Sequence, residues 1–183
     1  MQVMTVKELE DDAAWGSPSV WNRYNYVGLK ATVDKINKIQ EIIDSKSGIP
    51  ADEKEEFIAG ALDNYINRVY RFVKNLRDGR AEAAHLEAAE SIPPLLDAVF
   101  ALEGRLRPYY KYLDWELTNQ PLVKFPWSKD EFISMLMKIL KTADLETQQE
   151  ILKTVEQVFR REGFGKVFDG WYGMDKWMID FKV

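Results

Sequence analysis

The stretch ADEKEEFIAGALDNYINRVYRFVKNLRDG, residues 51–79, decides the fold class of this chain. Its apolar residues recur at steps of three and four, the spacing that places side chains on one face of an α-helix. The stripe consists of Phe57, Ile58, Leu62, Tyr65, Ile66, Val69, Phe72, Val73 and Leu76. Acidic residues in the first turn suit the positive end of the helix dipole, and Gly79 suits a C-terminal cap. The sequence therefore predicts a long amphipathic helix that ends near Asp78.

Helical patterns flank this stretch on both sides, and no convincing run alternates with the period of a strand. The predicted segments are Arg23 to about Ser45, Ala81 to about Glu103, the aromatic run YYKYLDWEL after Pro108, a helix capped by Ser128 with Glu131, and about Leu145 to Arg161. We therefore predict an all-α antiparallel bundle of five to seven helices. Residues 1–19 are expected to be a flexible acidic lead-in, and residues 20–183 a single helical-bundle domain.

Two prolines, Pro93 and Pro94, interrupt the segment from Ala81 to Glu103. A proline inside a helix removes a hydrogen bond and clashes with the preceding turn. Either this helix kinks at the prolines, or Ser91 caps a new helix.

Composition excludes several classes of site and partner. The chain has 183 residues, no Cys and a single His, His85, so it can hold no disulfide, no zinc-thiolate site and no metal site that needs two imidazoles. Its formal net charge of -5 makes nucleic acid an unexpected partner. We predict no membrane-spanning helix and no signal peptide, and hence a cytoplasmic protein. We also predict that it holds no cofactor and no metal.

Basic residues recur along the helix at 51–79, at Arg68, Arg71, Lys74 and Arg77. A short turn at Gly79 would bring the acidic residues Glu82, Glu87 and Glu90 back against them. This pattern is typical of inter-helix ion pairs, and it is also compatible with a ligand-binding groove. The candidate substrate-binding residues are Asn67, Arg71, Lys74, Glu87, Glu90 and Tyr109.

A set of aromatic residues either packs in the core or stacks on a flat ligand. The set consists of Tyr109, Tyr110, Tyr112, Trp115, Phe125 and Trp127, and the same two interpretations apply to Trp21, Tyr24 and Tyr26. Core packing is the commoner role at these spacings.

Two short motifs involve His85. The motif E-x-x-H at Glu82 is used by di-iron bundles, but those sites need a second His that this chain lacks. The motif R-x4-H at Arg80 resembles that of the HEPN ribonucleases, helical proteins in which the Arg binds a phosphate and the His moves a proton. A HEPN-like ribonuclease that uses Arg80 and His85 is therefore an alternative function, although Ala81 replaces the polar residue usual in that family.

The stretch from about Trp21 to Trp177 resembles the helical C-terminal region of a group of bacterial nucleotidyltransferase-domain proteins, distant relatives of kanamycin nucleotidyltransferase. The resemblance is carried by residues 21–26, WNRYNY, residues 62–67, LDNYIN, the residues Tyr70-Arg71 and Lys74-Asn75-Leu76-Arg77, and residues 86–117, LEAAESIPPLLDAVFALEGRLRPYYKYLDWEL. In that superfamily, a separate α/β domain supplies G-S and D-x-D for magnesium binding. The helical domain shapes the cleft for the acceptor substrate.

This chain departs from the family because no D-x-D occurs in it. The near forms, Asp114-Trp115-Glu116 and Asp144-Leu145-Glu146, fall in predicted helices or helix starts, where residues i and i+2 point in different directions. The resemblance implies a non-catalytic accessory domain, with a nucleotidyltransferase catalytic domain or chain as its partner and a small molecule as its acceptor. Besides the ribonuclease, the other alternative is a helical protein-protein interaction module, for which a homodimer is possible.

Overall fold

The computed structural model describes residues 4–182, which form ten α-helices and no strand. The helices are α1 Val6–Asp11, α2 Ile39–Lys46, α3 Lys54–Arg77, α4 Ala81–Glu90, α5 Ile92–Leu102, α6 Tyr110–Asn119, α7 Lys129–Thr142, α8 Leu145–Arg161, α9 Gly165–Asp169 and α10 Met174–Asp180, with a 3-10 turn at Val20–Tyr26. This confirms the all-α helical bundle. Ten helices form instead of five to seven because the proline-containing segment is two helices and both ends of the chain add short ones.

The long helix predicted at residues 51–79 is α3, which lies at the centre of the core. Leu62, Tyr65, Ile66 and Phe72 are completely buried on its apolar face. α4 and α5 pack against this face, and α8 adds a strongly amphipathic helix to the same core. α5 is buried on nearly every side, as expected of a helix that is apolar all round. None of the helices within residues 4–182 has the length and apolarity needed to cross a membrane.

The two prolines divide the predicted third helix at Ser91. Pro93 and Pro94 occupy the first turn of α5, where their missing N–H groups leave the α4 helix without its next hydrogen bonds. Ser91 keeps helical backbone angles, with φ −73° and ψ −22°, so α4 and α5 follow each other without a loop. The sequence allowed either a kink at the prolines or a new helix at Ser91, and the structure shows a new helix that begins directly after Ser91.

Local capping signals locate the helices of the C-terminal half. Ser128 and Glu131 form the predicted capping box at the start of α7, with the Glu131 N–H donating to Ser128 Oγ. The Asp144 carboxylate accepts from the Thr147 N–H and begins α8. The predictions for α7 and α8 are confirmed.

The helix predicted from Arg23 to Ser45 is wrong. The structure has the 3-10 turn at Val20–Tyr26, irregular backbone over 27–38, and only then α2. Gly28 and Asn37 adopt left-handed φ angles of 72° and 53°, which end any right-handed helix at those points. The Asp34 carboxylate accepts from two backbone N–H groups near the start of α2, a local alternative to helical hydrogen bonding.

Residues 4–48, which we name the N-terminal unit, have their own small core of Ala13, Tyr26 and Ile43. The Lys46 ammonium group is buried and donates to backbone carbonyls at the end of α1, those of Leu9, Glu10 and Asp12. These carbonyls have no hydrogen-bond donor within the short helix, and the Lys46 ammonium group donates to them instead. Within the predicted lead-in, the structure therefore contains α1 and a buried Ala13; the flexibility of residues 1–19 stays a prediction.

Candidate functional site

A cleft of about 360 Å³ lies between the N-terminal unit and the helical bundle. We name it the aromatic cleft, because six of its lining residues are aromatic: Trp15, Trp21 and Tyr24 from the N-terminal unit, and Phe57, Tyr109 and Tyr110 from the bundle. Its volume is in the range of small-molecule sites, which often lie between two packed units.

The aromatic rings meet edge to face across the junction of the two parts. Trp15 lies 5.4 Å from Phe57, and Tyr109 lies 5.5 Å from Tyr24 and 6.0 Å from Trp21, measured between ring centroids. Trp21 is nonetheless 64% exposed. The cleft therefore combines fixed aromatic walls with an open aromatic rim.

An ion pair, Asp97 with Arg107, provides the charged groups on the bundle side of the cleft. Arg107 Nε lies 3.0 Å from Asp97 Oδ1, and Arg107 Nη1 donates to the Pro93 carbonyl at 3.4 Å. Asp97 is the charged residue of the otherwise apolar α5. Burial raises the pKa of Asp97, and the neighbouring Arg107 opposes that rise without cancelling it.

The raised pKa of Asp97 predicts that Asp97→Asn gains stability relative to the parent as the pH rises from acidic to neutral. The folded state holds the Asp97 proton more tightly than the unfolded chain does. The free energy of unfolding of the parent therefore falls as the pH rises from about 4, the ordinary pKa of Asp, through the raised pKa. Asn carries no charge and removes this loss. Thermal melts across acidic to neutral pH should show the Tm of the variant rising relative to the parent; a relative fall would contradict the prediction.

Arg23 also lines the cleft, but its charge is used within the N-terminal unit. The side chain is 3% exposed, and its nitrogens donate to the carbonyls of Ala13, Ser45 and Gly48 at 2.5 to 3.1 Å. Burial lowers the pKa of the Arg23 guanidinium. Its role is to hold the N-terminal unit in the shape that forms the cleft wall.

A second, more open cleft adjoins the first and shares Tyr24 with it. Glu116 is 4% exposed in this second cleft, and its carboxylate accepts a 2.5 Å hydrogen bond from the Tyr24 hydroxyl. Arg105 Nη1 lies 3.5 Å from the other carboxylate oxygen. Burial, with Glu116 as the next cause, raises the pKa of Tyr24. Glu116 thus joins the N-terminal unit to α6.

The near form Asp114-Trp115-Glu116 does not present a metal site. Asp114 is exposed and pairs with Lys129 at 3.0 Å, whereas Glu116 is buried against Tyr24. The two carboxylates therefore point in different directions, as predicted from helix geometry. Within residues 4–182, no group of three His, Asp or Glu residues is arranged to hold a metal ion.

The predicted contact between the basic stripe of α3 and the acids of α4 is confirmed. Glu87 lies 3.1 Å from Arg68 and 3.7 Å from Arg71, and Glu90 lies 4.0 Å from Arg68. Lys74 is exposed and lies 6.0 Å from the Tyr70 ring, and Asn67 is half-buried. None of these residues lines either cleft described above. Their substrate-binding role stays a prediction.

For this reason we expect Arg71→Ala to have little effect. The Arg71 side chain is 54% exposed, and Glu87 keeps its shorter contact with Arg68 when Arg71 is removed. Exposed ion pairs contribute at most about 1 kcal/mol, so urea unfolding should show a loss no larger than this. A loss of about 3 kcal/mol would instead indicate a charge left buried and unpaired.

His85 is held by a neighbouring helix. Its Nε2 lies 2.9 Å from the Leu140 carbonyl oxygen near the end of α7. The other residue of the R-x4-H motif, Arg80, is exposed at the start of α4. One ring nitrogen of His85 is thereby engaged in a contact between helices.

The aromatic set divides into two groups. Phe125 and Trp127 are buried and stacked, as the core interpretation predicted. Tyr110, Tyr112 and Trp115 are exposed at the clefts. The flat-ligand interpretation therefore applies to the residues of α6 and the segment before it, together with Trp21 and Tyr24, which line the same clefts, whereas Tyr26 is buried.

Of the six candidate residues, Tyr109 is the one that lies in the aromatic cleft. Sequence reasoning missed Trp15, Asp97, Arg107 and Glu116. The signal for Asp97 was present, because a single acidic residue in the apolar run IPPLLDAVFAL requires a polar partner when it is buried. Nothing local indicated that Arg107 would be that partner.

Comparisons of the chain with protein-family models, with curated proteins and with solved structures found no match.

Proposed function

We propose that this chain is a non-catalytic, substrate-binding helical domain of the nucleotidyltransferase type, and that its acceptor binds in the aromatic cleft. The observation that carries the proposal is the cleft itself, which is lined by six aromatic side chains and by the Asp97–Arg107 pair. Apolar walls with a few polar groups are the usual composition of a small-molecule site. A separate catalytic domain or chain would supply the metal-binding carboxylates that this sequence lacks.

The aromatic cleft is a better candidate for the acceptor site than the basic stripe of α3. Arg68, Arg71 and Glu87 satisfy one another on the surface of α3 and α4. In the cleft, by contrast, the exposed ring of Trp21 and the partly exposed ion pair retain surface for a ligand. The ribonuclease alternative has less support, because His85 Nε2 is engaged by the Leu140 carbonyl.

Two measurements on the isolated chain test this proposal. Calorimetric titration with magnesium and ATP should give no micromolar, metal-dependent binding, since the sequence has no D-x-D and no group of three or more His, Asp or Glu residues within residues 4–182 is arranged to hold a metal ion. Saturation-transfer NMR with a panel of purine and pyrimidine nucleosides should detect binding of planar rings. Metal-dependent nucleotide binding would contradict the non-catalytic role.

Trp21→Ala provides the variant that locates the binding. Trp21 is exposed at the aromatic cleft, so its loss should weaken ring binding with little change in Tm. Trp115→Ala is the matched control, because Trp115 is exposed to a similar degree in the second cleft. Equal binding by the parent and Trp21→Ala would contradict an acceptor site in the aromatic cleft.

A further inference from the structure

The ion pair of the aromatic cleft favours a ligand whose group beside it is neutral. Asp97 and Arg107 form an ion pair without net charge. An anionic group at this point would meet the carboxylate, and a cationic group would meet the guanidinium. A neutral group that presents a hydrogen-bond donor beside an acceptor can bind to both.

Both members of the pair have unused hydrogen-bonding capacity. The pair is joined through Arg107 Nε and Asp97 Oδ1, and Arg107 Nη1 donates to Pro93. Among the residues that the structure describes, Asp97 Oδ2 and Arg107 Nη2 make no hydrogen bond. The bundle side of the cleft therefore offers a charged acceptor next to a charged donor.

The walls of the cleft favour a flat ring beside these groups. Aromatic side chains line the cleft from both the N-terminal unit and the bundle. Every nucleobase can stack on aromatic side chains through either face of its ring, whichever hydrogen-bond donors and acceptors it carries on its edge. A planar base can thus stack on an aromatic ring of the cleft wall while its edge meets Asp97 and Arg107.

We propose that the aromatic cleft binds the guanine base of a free nucleoside or nucleotide. The guanine edge places two adjacent N–H donors, at N1 and N2, beside the O6 acceptor. The donors match the carboxylate of Asp97 and O6 matches the guanidinium of Arg107, the same pairings that carboxylates and guanidinium groups make elsewhere. Adenine presents a single donor amine beside the acceptor N1, and cytosine a single donor amine beside the acceptors N3 and O2, so each leaves part of the carboxylate unused. This inference rests on the proposed function, because it assigns an acceptor to the same cleft.

A free ligand fits the cleft better than a nucleic-acid strand does. Strand binding depends on unpaired cations that neutralise successive phosphates. The arginines nearest the cleft are engaged, Arg107 with Asp97 and Arg23 with backbone carbonyls, and the whole chain has a net charge of -5. The cleft of about 360 Å³ has room for a single base.

Binding constants for guanosine, adenosine and 1-methylguanosine, measured by ligand-observed NMR, test this proposal. The methyl group of 1-methylguanosine blocks the edge but keeps the ring for stacking. Guanosine should bind at least about tenfold more tightly than the other two, the factor that a charge-assisted hydrogen bond supplies. In Asp97→Asn this preference should be lost while the Tm is maintained. The matched control, Asp114→Asn, removes an exposed carboxylate outside the cleft and should keep the preference.

The outcomes separate this inference from the proposed function. Equal binding of the three nucleosides, lost in Trp21→Ala, would overturn the guanine assignment and leave the ring-binding cleft intact. No binding of any nucleoside would overturn both. Tighter binding of a guanine-containing trinucleotide than of guanosine would overturn the assignment to a free ligand.

Discussion

Replacing Arg23 with Met should release the N-terminal unit from its folded shape and abolish ring binding in the aromatic cleft. Arg23 is buried and donates to the carbonyls of Ala13, Ser45 and Gly48, so the variant leaves these carbonyls without donors. Each hydrogen bond from a charged group contributes about 1.5–3 kcal/mol, and losing several should lower the unfolding free energy of this unit by about 3 kcal/mol or more. Trp15, Trp21 and Tyr24 lose their fixed positions at the same time.

Hydrogen exchange gives the most direct measurement of this prediction. The amides of α2 and of the 3-10 turn at Val20–Tyr26 should exchange faster in Arg23→Met, whereas the amides of α3 should keep their protection, since the main core is separate from Ala13, Tyr26 and Ile43. Arg71→Met is the control, because it removes an arginine that is half exposed. Unchanged exchange in α2 would contradict the role of Arg23.

The sequence predicted those parts of the fold that depend on local chemistry. The apolar stripe of α3, the capping box at Ser128 and the boundaries of α8 all follow from residues within one or two helical turns. The ion pair between Arg71 and Glu87 followed as well, because Gly79 turns the chain directly back on itself. These predictions needed no knowledge of distant contacts.

The N-terminal unit could not be predicted in this way. Its apolar residues repeat at helical steps from Tyr26 to Ile43, yet Leu29, Val33 and Ile36 are exposed. The observed conformation depends on long-range contacts: Arg23 reaches Gly48, and Lys46 reaches the end of α1. Such contacts override local periodicity, because buried charged groups must find their hydrogen-bond partners wherever the chain supplies them.

The aromatic cleft was missed for the same reason. Trp15 and Phe57 are 42 positions apart in sequence, and Asp97 and Arg107 lie on either side of the turn at Gly104. Tyr109 was singled out because it belongs to an aromatic run, which is a local feature. The cleft exists only when the N-terminal unit is docked, so no single stretch of sequence encodes it.

Docking of the N-terminal unit also depends on Glu116, and Glu116→Ala is expected to be strongly destabilising. The carboxylate is buried between the Tyr24 hydroxyl and Arg105 Nη1. Arg105 Nη2 is itself buried without a hydrogen-bond partner among the described residues, so removing Glu116 leaves a buried cation with less compensation. Removing one partner of a buried charged pair costs about 3–5 kcal/mol, and we expect a loss near the lower end because Arg105 retains the Gln120 carbonyl.

A double-mutant cycle of Tyr24→Phe and Glu116→Gln isolates the contact that joins the two parts of the molecule. The hydroxyl donates to the Glu116 carboxylate at 2.5 Å, so the coupling in urea unfolding should be about 1.5 kcal/mol or more. Tyr24→Phe should also weaken ring binding in the aromatic cleft, because it removes the hydroxyl whose bond to Glu116 holds the Tyr24 ring against Tyr109. Asp114 lies on the same helix but pairs with Lys129 outside the clefts. Asp114→Asn should therefore change neither the coupling between Tyr24 and Glu116, when the cycle is repeated in its background, nor ring binding in the aromatic cleft. A coupling near zero would mean that the N-terminal unit docks through its aromatic contacts alone, and the cleft would then depend on Trp15 against Phe57 rather than on Glu116.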